Sequence, residues 1–319
     1  MKIWHCMKKE ELNRQLAEDG ALKTKGEFLH CCTPSSWKLL AHPLQQDEVL
    51  VVLDDCDPSL DVRYEDGGNG HLFPHVYSPV KKNNIVEILE SDEIGPVNVL
   101  LSSSMIDEKW VCPWMRKILS KTDRVCIVPL SYFDEDVKTE SDWNRQYEPG
   151  RGLYYPGNND VFFPYGIKQA QIAWINPWKD TLLDMENKIR NASVLMLTGG
   201  APEKYMKRLK KLHLKNVIKD FAGTVIGYSA GAMIQLDDYH ISKDPDYDRF
   251  SWQKGLGLLS GFDVEVHFSQ NKDQMEGLET VLEERHIPVY ALYEDGALVC
   301  KDKKPWQCFG HTALYEPEN

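Results

Sequence analysis

Val225-Ile226-Gly227-Tyr228-Ser229-Ala230-Gly231-Ala232 is the stretch on which the reading of this chain turns. An apolar strand runs straight into small residues and then into a helix, Ala230 to Leu236. Glycines on both sides of Ser229 permit a tight turn that larger side chains would obstruct. Such a nucleophile elbow pushes a hydroxyl out above the strand's carboxyl end, where helix amides favour developing negative charge. Serine is a weak nucleophile by itself, so a general base must lie within hydrogen-bond reach. The plainer alternative is that the glycines serve helix–strand packing and that Ser229 is a helix cap.

Working outward, strands and helices alternate. Strands are expected at Val97–Leu101, Arg124–Pro129, Val194–Leu197 and Thr224–Gly227. Helices are expected at Trp110–Leu119, Leu182–Arg190, Pro202–Leu212 and Ala230–Leu236, and Ile167–Trp174 reads as amphipathic. This rhythm predicts an α/β fold, a mostly parallel sheet with helices on both faces. Residues 134–164, rich in Gly, Pro, Asn and Tyr, read as a long excursion near the site or over the surface. The chain before residue 93 reads differently, as a small α+β domain. Its strands are Ile3–His5, Val49–Leu53 and Ile85–Leu89, its helix is Lys8–Glu18, and Gly67–Gly70 is a loop. Two domains follow, 1–93 and 97–319, joined at the charged, Gly-Pro-broken stretch Glu90–Pro96.

Three more segments complete a site. Leu197-Thr198-Gly199-Gly200-Ala201-Pro202 leaves one apolar strand and opens a helix, and loops at neighbouring strand ends meet in one crevice. The Gly200 and Ala230 amides could therefore hold an oxyanion, although an ordinary helix start with Pro in its first turn fits as well. Phe262–Gln270 alternates like a strand until His267, where a histidine can shuttle a proton near neutral pH. Either Glu294 or Asp295 could orient that histidine; alternatively Asp295-Gly296 is a hairpin turn.

Composition narrows the rest. Hydrophobic residues make up 42 % of 319, enough for a sizeable core, and the formal charge of −12 argues against a nucleic-acid partner. The basic run Lys204, Lys207, Arg208, Lys210, Lys211 and Lys215 has helical spacing and reads as a solvated helix face. No apolar run reaches the roughly 20 residues of a membrane helix, and the amino terminus lacks a secretory pattern. Eight cysteines without a C-x-x-C pair suit a reduced, cytoplasmic protein.

Jointly the Thr-Gly-Gly loop, Gly-Tyr-Ser-Ala-Gly-Ala, His267-Phe268 and the late Glu-Asp-Gly resemble the dipeptidase E (aspartyl dipeptidase) family of serine peptidases, whose other branch includes cyanophycinase. The resemblance spans about residues 97–319. It implies a glutamine-amidotransferase-like fold, Ser229 as nucleophile, His267 as base and a carboxylate at Glu294 or Asp295. Alignment on Gly296 favours Asp295. No cofactor or metal is implied; the partner is a small peptide or amide substrate, and a homodimer is compatible. Two departures stand out. The glycine loop continues Ala201-Pro202 rather than Asn-Thr. The arginines that Asp-preferring members carry after the histidine are replaced by Asn271–Gly277, with Lys272 its one cation and Arg285 more distant.

Residues 1 to about 90 resemble family 952 of the domains of unknown function, through Ile3-Trp4-His5, Phe28–Thr33, Val51–Asp54, Val62–Glu65 and Leu72–Pro79. That family looks similar to ADP-ribosyltransferase-like folds, which bind NAD. From the residues themselves, His5, His30, Arg63, His75 and Tyr77, with Cys31 and Glu65 among them, could line a pocket for a small anionic or nucleotide-like ligand. A structural hydrogen-bond network is the alternative, and a zinc set of His5, His30, Cys31 and His75 lacks the usual spacing. Two functions therefore compete: a cytoplasmic serine hydrolase, or a catalytically inactive binding or regulatory protein that senses a ligand through its first domain. An NAD-using transferase in that domain is a third.

Overall fold

Strands whose residues are buried on both faces can only sit in the middle of a layered domain. Val97–Leu101 (β9), Val125–Val128 (β10) and Val194–Leu197 (β12) are buried throughout. A computed structural model describes residues 2–23, 26–37, 44–45, 47–67, 72–90, 97–103, 105–221 and 223–318. In it these strands join Ile172–Trp174 (β11) and Thr224–Tyr228 (β13) in the parallel order β11-β10-β12-β13-β9. Alternate residues feed two cores. Leu100, Cys126, Val128, Leu195 and Leu197 face one side, and Val99, Leu101, Ile127, Val194 and Met196 the other.

Beyond β9 the sheet changes direction. Val289–Lys301 (β17) runs antiparallel to β9 through Ala297–Lys301, while its first residues pair in parallel with Asp263–Glu265 (β16). Lys304–Tyr315 (β18) folds back on β17 as the sheet's edge. The hairpin turn is Asp302-Lys303, both at positive φ (48° and 66°), as a tight two-residue connection requires. Asp295-Gly296 is therefore no hairpin turn; it lies inside β17, at an irregularity between Leu292 and Gly296.

The first part of the chain forms its own small sheets. Lys2–Lys8 (β1), Glu48–Asp54 (β4) and Ile85–Leu89 (β8) make one. Leu29–His30 (β3), Leu72–Val76 (β6) and Val62–Asp66 (β5) make a second, and Ala21–Leu22 (β2) pairs with Val80–Lys81 (β7). All pairs are antiparallel. Helices α1 (Lys9–Glu18) and α2 (Pro34–Trp37) complete this α+β unit. Residues 68–70 of the glycine loop, and 91–96 of the junction, lie outside the described residues.

Two helices are shorter than their sequence patterns suggest. Cys112–Met115 (α3) carries Pro113 in its first turn and tightens into three-residue spacing at Lys117 and Ile118. The excursion contains Glu140–Tyr147 (α4), started by a Thr139–Asp142 capping box, and Tyr155–Asn159 (α5). Leu182–Arg190 (α6), Pro202–Lys211 (α7) and Leu214–Lys219 (α8) follow. Ala230–Met233 (α9) is a single turn. Lys272–Arg285 (α10) starts at an Asn271 cap. Arg208 leaves the solvated face expected of it. Its guanidinium sits 3.5 Å over the Tyr132 ring and bonds the Leu130 and Tyr132 carbonyls and Asp134.

Asp238–Ile241 (β14), paired with Ser251–Lys254 (β15), is held to β16 by a buried charge cluster. His240, 1 % exposed, donates from Nδ1 to Asp263 (2.9 Å) and from Nε2 to Glu265 (2.6 Å). Burial alone would lower its pKa, but the two carboxylates outweigh burial and hold it at about 10. Burial also pushes the Asp263 carboxyl upward, opposed by the charge of His240 beside it. A folded pKa above the ordinary 6.5 contributes stability that is complete below about pH 6.5 and is lost as pH rises through 10. In thermal unfolding, the lead of wild type over His240→Asn should therefore shrink between pH 7 and pH 10. A constant difference over that range would refute the buried imidazolium.

Candidate active site

Ser229 closes β13 and opens α9 with φ 51° and ψ −121°. A residue bearing a β-carbon avoids this conformation unless its surroundings fix it. They do. The Ser229 amide donates to Leu101 O at 2.9 Å, and its carbonyl accepts from Ala232 and Met233. The flanking glycines are forced by contact. A β-carbon on Gly227 would lie 2.0 Å from Gly231 O, and one on Gly231 would lie 2.0 Å from Leu197 O. Ser229 itself is half-buried. With one helical turn behind it, the local stabilisation of negative charge comes from free amides more than from a macrodipole.

The glycine loop lies against this turn. A β-carbon on Gly199 would come within 2.6 Å of the Tyr228 ring and 3.1 Å of Ser229 Cβ. Gly200 takes φ 137°, and a β-carbon there would meet Ser131 O at 2.3 Å. Ser131, just past β10, pins the loop: its hydroxyl donates to Gly199 O (2.5 Å), its carbonyl accepts from the Ala201 amide (2.6 Å), and it contacts Thr198 Oγ1. The Gly200 and Ala230 amides have no hydrogen-bond partner among the described residues. Pro202 supplies the first turn of α7 and has no amide proton to satisfy. Burial raises the Tyr228 phenol's pKa, opposed by Asn158 of the excursion and the Gly199 amide, so this excursion reaches the residue next to Ser229.

His267 follows β16 at φ 52°. Its amide donates to Ser102 Oγ (2.9 Å), and Ser102 Oγ donates to Leu292 O (2.6 Å). Leu101 and Ser102 are consecutive, so the serine turn and the histidine turn hang on one strand end. The sequence pattern could not show that β16 runs antiparallel to β9; the bend in β17 brings its end to the same edge.

The imidazole chooses between the two carboxylates. His267 Nδ1 donates to Glu294 Oε1 at 2.7 Å, whereas Asp295 bonds His311 Nδ1 on β18 at 2.9 Å. The imidazole is thus bonded to Glu294 and not to Asp295, the residue that alignment favoured: adjacent strand residues face opposite ways. With the Nδ1 proton on Glu294, Nε2 carries the lone pair, and neither Nε2 nor Ser229 Oγ has a hydrogen-bond partner among the described residues.

A family model described as "Peptidase family S51" matches residues 99–306. The chain belongs to peptidase family S51. It is a serine-type, dipeptidase E-like peptidase. A second family model, a protein family of unknown function (DUF952), matches residues 4–88. A peptidase from an acI-B1 Actinobacterium shares the fold at 14 % identity with a TM-score of 0.50, over 70 % of this chain and 91 % of that one. A Listeria monocytogenes EGD-e protein assigned to peptidase E aligns at 17 % identity and TM-score 0.47, over 70 % and 98 %. A Caulobacter crescentus protein aligns with 30 % of this chain and 92 % of its own at 18 % identity and TM-score 0.25. No curated protein matches the chain. Among the described residues no helix is long and apolar enough to cross a membrane.

The polar residues expected in the first part of the S51 chain do gather. His30, His75 and Arg63 stand opposite one another across β3, β6 and β5. Phe28 stacks on His75 at 4.1 Å, His75 bonds Glu65, and the Tyr77 hydroxyl donates to Glu65 (2.9 Å). His5 Nδ1 donates to His30 O (2.8 Å), and both histidines line a cavity of about 640 Å³. Arg63 is engaged by Asp61 and lies 4.1 Å over Tyr77, and it does not line the cavity. Burial lowers the His5 pKa, so it faces the cavity as a neutral ring. The zinc set does not assemble: among the described residues the three-ligand group is Asp54, Asp55 and Cys56.

Replacing Gly200 with Ala forces both the left-handed backbone and the Ser131 contact. It should destabilise the protein by about 1–3 kcal/mol and displace the loop beside Ser229. Chemical denaturation with unchanged midpoint would rule out the close approach.

Proposed function

We propose that this S51 peptidase hydrolyses small peptides or amides by acyl transfer, with Ser229 as nucleophile, His267 as base, Glu294 as the acid that orients it, and the Gly200 and Ala230 amides as the oxyanion hole. The observation that carries this reading is the pair of strained turns at Ser229 and His267 anchored on Leu101 and Ser102. Ser229 Oγ attacks the scissile carbonyl while His267 Nε2 takes its proton. The carbonyl oxygen, now negative, is met by two amides that have no competing partner. His267 returns the proton to the leaving amine. Water, deprotonated by the same nitrogen, then releases the acyl group. Glu294 fixes the tautomer and stabilises the imidazolium.

The substrate side supports a small peptide without an acidic preference. Lys272 is paired with Glu276 (3.4 Å), and Arg285 lies over Trp252 with Asp238 at 3.8 Å. Neither offers the bidentate fork that a substrate carboxylate would need. Domain limits of 1–93 and 97–319 belong to the same proposal, supported by sheets that do not mix strands from the two parts. So does a reducing, cytoplasmic setting, supported by eight unpaired cysteines.

Ser229→Ala should abolish labelling by a fluorophosphonate probe and all cleavage of a dipeptide library. Retained labelling would remove Ser229 from its role. Glu294→Gln should lower kcat by roughly 10²- to 10⁴-fold, while Asp295→Asn should change it less than about threefold, within the effect of an exposed polar change. The reverse ranking would return the acid to Asp295.

A further inference from the structure

The His267 backbone is held at both ends. Its left-handed φ is disfavoured for a side chain with a β-carbon and persists only where neighbours over-determine it. The amide is taken by Ser102 Oγ, as described. The carbonyl accepts from Gln274 Nε2 at 3.0 Å. Gln274 lies in the first turn of α10 and is 8 % exposed. Its Oε1 accepts from the Ser269 amide (2.9 Å), the Ser269 hydroxyl and Asn271 Nδ2, closing the loop that follows the histidine.

The same Nε2 also donates to Glu265 Oε1 at 3.2 Å. The other oxygen of Glu265 accepts from Ser242 (2.6 Å) and from His240 (2.6 Å), whose second nitrogen is fixed on Asp263. A chain of buried hydrogen bonds thus runs from β14 through β16 and α10 and ends on the carbonyl of His267. Burying such a cluster is costly in desolvation, and apolar residues of similar volume would hold β14 to β16 as well. What apolar residues could not supply is the fixed donor at the His267 carbonyl.

We propose that Gln274, oriented by Glu265 and through it by His240 and Ser242, is a positioning residue that sets the imidazole of His267 for proton transfer. This rests on the reading of His267 as the base. The buried cluster is the fixed floor, Gln274 is the arm, and the strained turn is what the arm restrains. Misplacing a catalytic group by about 1 Å can cost roughly a hundredfold in rate.

The test uses the full chain and a desthiobiotin fluorophosphonate probe, with kinact and KI measured for wild type, Gln274→Met, Ser242→Ala and the exposed α10 control Glu283→Gln, alongside melting temperatures. Gln274→Met should lower kinact roughly ten- to hundredfold with KI within about threefold. Ser242→Ala, which removes one partner of Glu265, should lower kinact by a smaller factor, and Glu283→Gln should match wild type. A folded Gln274→Met with wild-type kinact overturns the proposal. If Gln274→Met does not fold, an unchanged kinact in Ser242→Ala overturns it instead. A wild-type protein that is not labelled at Ser229 overturns the reading of the site, and this proposal with it. Normal Ser229 labelling in every variant overturns only the positioning role.

Discussion

The site depends on the end of one strand. Leu101 offers a carbonyl to the serine turn, and Ser102 offers a hydroxyl to the histidine turn. β9 can do this because it is the hinge of the sheet, parallel to β13 on one side and antiparallel to β17 on the other. Two turns that each carry a disfavoured backbone conformation therefore share a rigid, fully buried anchor. A strand whose five residues are all buried does not shift easily, and neither do the turns bonded to its end.

Close approach is the second requirement. The elbow, the glycine loop and the β10 end meet within distances that leave no room for a β-carbon at Gly199, Gly200, Gly227 or Gly231. The result is backbone packed against backbone, with the Gly200 and Ala230 amides left without a partner among the described residues. Ser131 completes it by occupying the carbonyl and amide of the loop that would otherwise be free to rotate. The same close packing places Tyr228 against Gly199, with Asn158 of the excursion after β10 by its phenol.

Much of this was legible in the sequence. The elbow, the glycine loop, the histidine at a strand end and four of the five parallel strands follow from apolar runs broken by small residues. The acid was not resolved. Glu294 and Asp295 are adjacent, and a one-residue step in a strand reverses the face; only the position of β18, with His311 waiting for Asp295, separates them. β18 itself escaped notice because an edge strand with mixed polar residues lacks the alternation that marks a half-buried one. Ser131, Ser102 and Gln274 carry no motif at all, and their roles arise from contacts 68, 165 and 7 residues away in sequence. In the first part, His5 and His30 line a cavity that His75 and Tyr77 do not, and Arg63 is taken by a neighbour two residues away.

The most direct measurement is the crystal structure of the fluorophosphonate adduct. The account predicts phosphorus bonded to Ser229 Oγ, the phosphonyl oxygen about 2.7–3.1 Å from both the Gly200 and Ala230 amides, and His267 Nε2 within hydrogen-bond reach of the adduct while Nδ1 stays on Glu294. An adduct whose phosphonyl oxygen points to solvent, or an imidazole turned away from it with Glu294 released, would contradict the account.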